Sequence, residues 1–327
     1  MATAVLRLDT GSASTLQARF RRDVLTGLGQ ARKAIPARWF YDHRGSELFE
    51  QITVLPEYYP TRTEVRILRE HRGAFAHAVG PGRVVIEFGA GSATKTPLLL
   101  DSIAPAGYVG LDISGEFLRE ACAGLAERYP RLPIHPIEAD FTQAVSLPAH
   151  LAGRPRLGFF PGSTIGNMEP DAAVDLLRSM RATLGQGGLL LIGMDRIKDE
   201  GVLTAAYDDA AGVTAAFNLN LAERINRELG GTIPVEALRH RAIWNDQRAR
   251  IEMHLEATRE IAFEAAGQSF TMGAGETIHT ENSHKYDRRS AATLLLAGQW
   301  EPLQTWTDKD DHFMIVLARA MSDDLTA

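Results

Sequence analysis

Residues 84–95, Val-Val-Ile-Glu-Phe-Gly-Ala-Gly-Ser-Ala-Thr-Lys, are the stretch of this chain best suited to hold a small charged ligand. An apolar strand runs into a glycine turn, and a helical pattern (Thr96, Leu98 to Leu100) follows. Gly89 and Gly91 lack a Cβ, so the backbone can turn tightly and come close to a ligand, while the next helix directs its unpaired N–H groups and positive dipole end toward it. This is the form of a nucleotide-binding turn, with Glu87 near the strand end. The dinucleotide fingerprint G-x-G-x-x-G is incomplete, because Thr94 and Lys95 stand where a third glycine would pack helix on strand. Two more strand ends carry acids. Tyr108-Val-Gly-Leu-Asp112 follows about 20 residues on, where a carboxylate would accept two hydrogen bonds from a ribose diol. Ile137-Glu-Ala-Asp140-Phe141 offers a carboxylate to cap and an aromatic ring to stack on adenine.

Those ends need a frame to position them. Between residues 63 and 195 the patterns alternate: helix 63–78, strand 83–88, helix 95–103, strand 107–111, helix 115–128, strand 133–138, Leu157–Phe160, helix 170–184 and the apolar run 188–194. Apolar strands separated by amphipathic helices make a parallel sheet covered on both faces, a doubly wound α/β fold. Near the C-terminus Pro302–Trp306 and Phe313–Ala318 flank a polar turn, an antiparallel hairpin that closes the sheet after the helix Arg288–Ala297. Residues 196–286 interrupt this order. They open with a helical stretch, Val202–Leu229 broken at Gly212, and pass to alternating segments (Arg241–Asn245, Arg250–Ala257, Glu260–Phe263, Ser269–Met272) that read as a small antiparallel sheet. An insertion of this size is normally functional. The expected division is a ligand-holding domain, 63–195 with 287–327, and an inserted α+β substrate lobe, 196–286 with 1–62.

Composition excludes several classes. With 327 residues, 45% of them hydrophobic, the chain can bury one large or two modest cores. The formal charge is −6, from 35 basic and 41 acidic residues, and no basic run exceeds Arg19-Phe-Arg-Arg22, which argues against nucleic acid as a partner. No apolar run approaches the roughly 20 residues that span a bilayer, and the N-terminus lacks a signal-peptide core, so no membrane association and a cytoplasmic location are expected. The single cysteine, Cys122, lies in an apolar-periodic helix and reads as a core residue.

An acid at the strand end followed by G-x-G resembles the class I S-adenosylmethionine (SAM) methyltransferases. Three further strings make the resemblance specific: Leu55-Pro-Glu-Tyr58-Tyr-Pro-Thr-Arg, Phe160-Pro-Gly-Ser-Thr-Ile-Gly-Asn167 and Ile278-His-Thr-Glu281-Asn-Ser283-His-Lys-Tyr. From Trp39 to Ala318 the chain is similar to the histidine Nα-methyltransferases of ergothioneine biosynthesis, which transfer three methyl groups from SAM to the α-amine of L-histidine, giving hercynine. That resemblance implies a mostly parallel seven-stranded class I methyltransferase sheet with its closing hairpin. It places Gly89, Lys95, Asp112, Asp140 and Phe141 at SAM, and Tyr41 beside the cofactor at the reaction centre. It places Tyr58, Asn167 and Tyr207 on the amine and carboxylate of the amino acid, Glu281 and Ser283 on the imidazole, and Met253 in the pocket wall. Departures fall on neighbours such as Asn282 and His284. Methyl transfer is an in-line displacement that rests on positioning, so no metal is expected, and no Ser-His-Asp, Cys-His or metal-spaced cluster stands out in the sequence. A monomer acting on a small molecule is expected.

Each assignment has a structural alternative. Asn167 could cap the helix near Pro170, Tyr58 could be a packed turn aromatic, and Tyr207 a helix contact. Met253, between Ile251 and Leu255, is by default core. A lysine in a first helical turn opposes the dipole, which favours an anionic partner for Lys95 such as the cofactor's carboxylate. Glu281 and Ser283 have one side-chain parity, so both can face one cavity. Competing functions are methylation of another aromatic amino acid such as tryptophan, a non-catalytic SAM-binding protein, and a nicotinamide oxidoreductase, which the missing third glycine disfavours.

Overall fold

The computed structural model describes residues 12–322, so the outermost ends of both expected domains, 1–11 and 323–327, lie outside it. Four helices come first: α1 (Ser12–Leu28), α2 (His43–Thr53), α3 (Tyr59–Glu70) and α4 (Arg72–Val79). The alternating region follows as β1 (Val84–Phe88), α5 (Thr96–Ile103), β2 (Gly107–Asp112), α6 (Gly115–Arg128), β3 (Ile134–Glu138), β4 (Arg156–Phe160), α7 (Pro170–Leu184) and β5 (Leu189–Asp195). Next come α8 (Glu200–Tyr207), α9 (Val213–Leu229), β6 (Leu238–Asn245), β7 (Arg250–Ala257), β8 (Ile261–Ala265), β9 (Gln268–Met272) and β10 (Thr277–His284). The chain ends with α10 (Arg288–Ala297), β11 (Trp300–Thr307) and β12 (Phe313–Ala320). Among the described residues no helix is long and apolar enough to cross a membrane.

The chain divides into two compact units, one comprising Glu50–Ala210, Ile243–Ile251 and the residues from Asn282 onward, the other the residues through Phe49 with Ala211–Ala242 and Glu252–Glu281. Residues 50–62 and 196–210, expected with the inserted lobe, thus belong to the first unit.

The first unit is built on a seven-stranded sheet of order β11-β12-β5-β4-β1-β2-β3. The five strands from β5 to β3 run parallel, and β12 lies antiparallel between β5 and β11, which is the expected doubly wound sheet with its closing hairpin. Its faces bury alternate residues. Ile86, Phe88, Leu190 and Ile192 pack with Leu177 and Met180 of α7 and Leu295 of α10, while Val85, Phe159, Leu191 and Leu317 pack with Ile67 of α3, Phe75 of α4 and Leu99 of α5. Pro136 sits on β3, the edge strand, where its missing N–H removes no ladder bond on the open side. The single helix expected over 63–78 is two, α3 and α4, meeting at His71. The first starts earlier because Pro60 suits a first helical turn.

In the second unit Arg224 of α9 is buried, its guanidinium 4.7 Å from the Phe20 ring and 5.6 Å from that of Trp39, and it donates to the Trp39 carbonyl. Asn220 and Arg227, about one turn before and one turn after Arg224 on α9, both bond Asp42. These contacts fix the string Arg38–Asp42 against α9. The small sheet expected from the alternating segments separates into two: β10-β7-β6, and a hairpin of β8 and β9. Ala266 and Gly267 both take positive φ (53° and 79°), the two-residue turn that closes a hairpin locally, and the 277–284 string supplies the neighbour of β7 instead.

Candidate active site

The glycine turn after β1 is held by acids from neighbouring strands. Gly89 has φ +73°, and a Cβ there would stand 3.5 Å from the Phe141 ring, so the bare turn and the aromatic after β3 are adjacent. Asp112, at the end of β2, accepts the Gly91 N–H at 3.0 Å on one oxygen and the Ser114 N–H at 2.9 Å on the other. A carboxylate offers about four lone-pair directions, so Asp112 keeps acceptors for a diol after both bonds. Burial raises its pKa more than the backbone donors lower it. Asp140 folds onto the Thr142 N–H (3.1 Å) and hydroxyl (2.5 Å).

Glu87 has a different place from the one its sequence position suggests. It is 2% exposed and one oxygen accepts both the Thr96 hydroxyl (2.6 Å) and the Tyr108 hydroxyl (2.7 Å). It therefore ties the first residue of α5 to β2 from inside. Burial pushes its carboxyl up to about 7, against the pull of both hydroxyls. The anionic partner anticipated for Lys95 is also supplied internally: its ammonium lies 2.5 Å from Glu64 of α3, a wholly buried carboxylate that also takes the Gly162 N–H at 3.0 Å.

A second group of residues gathers beyond the carboxyl ends of β4 and β5. The Tyr58 ring stands edge-on to that of Tyr207, centroids 6.2 Å apart, and the Tyr207 hydroxyl lies 2.6 Å from the Ser283 hydroxyl. The structure thus joins three of the anticipated substrate residues, with Tyr207 in contact with both others. Asn167 ends the short turn Thr164–Asn167. It is not the cap of α7, since that position is Glu169, and among the described residues its carboxamide has no hydrogen-bond partner. Gly166 brings this turn onto β10: a Cβ there would fall 2.8 Å from the His284 carbonyl oxygen, so only glycine fits.

Beneath Ser283 lies a buried ionic cluster that the sequence reading missed. Asp195, the last residue of β5, is 0% exposed. It pairs with Lys285 at 2.7 Å and Lys198 at 2.6 Å and accepts the Tyr59 hydroxyl at 2.7 Å. Burial alone would raise its pKa, but the two ammonium groups hold it below the usual carboxylate range. Burial pulls Lys198 down to about 8 against the opposing pull of Asp195, and drives the Tyr59 phenol well above its usual value. Both Asp195, ending an apolar run, and Lys285, inside the 278–286 string, were visible as residues; their pairing across 90 positions was not.

The alternation of β10 turns Asn282 and His284 away from the face that carries Glu281 and Ser283. On that opposite side Asn282 (3.0 Å) and Arg250 (2.7 Å) both bond Glu169. His284 and Tyr286 line a cleft of about 480 Å³ against α7 and α10.

In the other unit, Tyr41 joins an aromatic cluster with Phe49 (5.6 Å) and Phe217 (5.8 Å). Glu281 is buried on the same face of β10 as Ser283. Met253 is 1% exposed and shares a face of β7 with the equally buried Ile251 and Leu255, the core pattern that its spacing suggests. The strands also assemble one group that sequence spacing did not reveal: Glu252, His254 and His279 offer ligand atoms all within 4.8 Å of one another, with the two imidazoles stacked at 4.9 Å.

A family model described as histidine-specific methyltransferase, SAM-dependent, matches residues 20–320. A histidine N-alpha-methyltransferase of Mycolicibacterium smegmatis is 40% identical over 313 residues, 94% of this chain and 97% of that protein. One of Mycobacterium tuberculosis is 38% identical over 308 residues, 91% and 94% of the two chains. Ergothioneine biosynthesis protein 1 of Neurospora crassa is 28% identical over 304 residues, which are 88% of this chain and 33% of its own length.

Proposed function

The chain belongs to the family of histidine-specific, SAM-dependent methyltransferases, and from that premise we propose that it trimethylates the α-amine of L-histidine to hercynine, the first step of ergothioneine biosynthesis. The observation that carries the substrate is the pair on β10: a carboxylate, Glu281, and a hydroxyl, Ser283, both buried and on one strand face. A neutral imidazole has one N–H donor and one bare nitrogen. Glu281 accepts the first and Ser283 serves the second. An aliphatic or phenyl side chain offers neither residue a polar atom, which favours imidazole over such rings and chains.

The residues present fit SAM. The Cβ-free turn at Gly89 and Gly91 lets backbone approach it, Asp112 has acceptors for its ribose diol, and Asp140 with Phe141 borders its adenine. Lys95, already paired with Glu64, is a candidate for its carboxylate. When bound, SAM supplies an electrophilic sulfonium methyl, whose S–C bond breaks as the amine nitrogen forms its N–C bond, leaving S-adenosylhomocysteine. The chain's own contribution is positioning. Tyr58, Asn167 and Tyr207 hold the amino acid by its amine and carboxylate, and Met253 contributes apolar wall. Each round needs a deprotonated amine, and Tyr41 or water takes that proton. A Tyr41→Phe variant is expected to lose single-turnover rate on the acidic side; full rates across the pH range would remove Tyr41 from that role. In this reading the strand ends within 63–195 hold SAM, and residues from 1–62 and 196–286, with Asn167, select the amino acid. The chemistry calls for no metal, nucleic acid, membrane or second subunit, and the cytoplasm suits a small-molecule pathway enzyme.

The test is mass spectrometry of the purified protein with SAM and an equimolar mixture of the twenty amino acids. A gain of one, two and three methyl groups on histidine alone is expected. Methylation of tryptophan instead would keep the donor and overturn the pocket.

A further inference from the structure

Three hydrogens leave the Lys285 ammonium and three acceptors surround it: Asp195 at 2.7 Å, the Ser283 hydroxyl at 2.7 Å and the Tyr207 hydroxyl at 2.9 Å. Its side chain is 0% exposed, and its nitrogen also sits 4.6 Å over the Tyr207 ring. An ammonium can only donate. Lys285 therefore occupies a lone pair on each hydroxyl, and the two hydroxyls share one further bond at 2.6 Å. A phenol is a stronger acid and a weaker acceptor than an alkyl alcohol, so Tyr207 donates to Ser283. The Ser283 oxygen then accepts from both Lys285 and Tyr207, has no lone pair left, and presents its own O–H. Asp195, fixed by the Ser163 hydroxyl on its backbone N–H and by Lys198 and Tyr59 on its carboxylate, anchors the ammonium from the far side.

We propose that Lys285 is a positioning and specificity residue for the amino-acid substrate: held by Asp195, it turns Ser283 into a donor-only hydroxyl that accepts a bare imidazole nitrogen and rejects a protonated one. With Glu281 able only to accept an N–H when ionised and Ser283 donating to a bare nitrogen, the pair selects the neutral ring in a single tautomer. An imidazolium, with two N–H groups, meets one donor facing a donor beside an ammonium. An indole or phenyl ring leaves the Ser283 hydrogen without an acceptor.

This inference rests on the reading of Glu281 and Ser283 as the imidazole pair, and the experiment separates the two. Methylation of histidine by the native protein is measured first; its absence takes down both. Given that activity, Lys285→Met, Ser283→Ala and the double variant are compared for KM and kcat toward L-histidine, with SAM affinity by calorimetry as the check on folding. The expected result is a KM raised about 10- to 100-fold in Lys285→Met with SAM binding retained, and little further loss when the change is made in Ser283→Ala. Independent, multiplying losses would show a merely structural lysine and overturn the proposal. Should Lys285→Met fail to fold, the native protein answers alone: 15N-imidazole histidine bound beside S-adenosylhomocysteine near pH 6 is expected to give one protonated and one bare ring nitrogen, and two protonated nitrogens would overturn the proposal.

Discussion

Two carboxylates of this molecule are equally buried and oppositely placed in energy. Glu87, under the glycine turn, is hydrogen-bonded by two hydroxyls, and burial pushes it up to about 7. Asp195, under the β10 hydroxyls, has two ammonium groups and is held below the usual carboxylate range. Burial sets the penalty for charge in both places, and the partner decides whether the charge is kept. The glycine turn is thus braced by a carboxyl whose burial favours its neutral form. The β10 hydroxyl Ser283 is braced by an ionic cluster, through Lys285. The two regions should also fail at opposite ends of the pH scale. Asp195 contributes stability that is present above the ordinary carboxylate pKa and is lost as pH falls through its lowered value. Glu87 contributes stability that is present below about 4.5 and is lost as pH rises through about 7.

The largest effect expected is from breaking the ionic side. Asp195→Asn leaves Lys285 and Lys198 buried without their anion, and removing one partner of a buried pair costs about 3–5 kcal/mol. Denaturant unfolding at pH 7 measures it; a loss below about 1 kcal/mol would mean the lysines are solvated and the contrast with Glu87 is false. Next is Glu87→Gln, which keeps an acceptor for Thr96 and Tyr108 and removes the titration. A rise from 4.5 to about 7 corresponds to about 3 kcal/mol, so the native protein should lose stability relative to this variant between pH 5 and pH 8. Parallel pH profiles of the two proteins would show Glu87 ionised throughout.

These two acids also mark how far the sequence could be read. The glycine turn, the alternation of helix and strand and the closing hairpin were legible because each is a local pattern: periods of 2 and 3.6, and residues without a Cβ where the chain bends. Asp112 and Phe141 were legible for the same reason, since they end strands in order. Glu64, Asp195 and Lys285 were not. Glu64 looks like one more solvated charge on a polar helix until Lys95 and the Gly162 N–H are seen on it. Lys285 stood inside a string quoted for Glu281 and Ser283, but periodicity gives a residue's face and not the group opposite it. The split of the small sheet was hidden likewise, because pairing between β7 and β10 is a long-range choice that alternation permits without specifying.

A smaller effect sharpens the SAM side. Asp112→Asn keeps an oxygen for the Gly91 N–H but sets an amide NH2 against the Ser114 N–H and loses the charge that a diol donates to, so SAM affinity should fall about 10- to 100-fold with a stability loss of about 1–3 kcal/mol. Calorimetric titration reads it, and an unchanged affinity would leave Asp112 as a brace of the turn alone.

The smallest expected change is that of Met253→Leu. Its face of β7 is apolar from Ile251 to Leu255, and its opposite face carries Glu252 and His254. A residue on such a face serves a ligand by volume and not by charge, so Met253→Leu, which conserves volume, should alter stability by less than about 1.5 kcal/mol and leave the preference for histidine over tryptophan intact. Met253→Ala removes that volume. If Met253 contributes wall, the Ala variant should lose histidine affinity and gain turnover of the larger indole while its SAM affinity stays constant. If the side chain only fills core, Met253→Ala should lower stability by about 2–5 kcal/mol with the ratio of the two substrates unmoved. Because the ratio is internal to one preparation, it separates a wall from a core residue even where both variants unfold at lower denaturant.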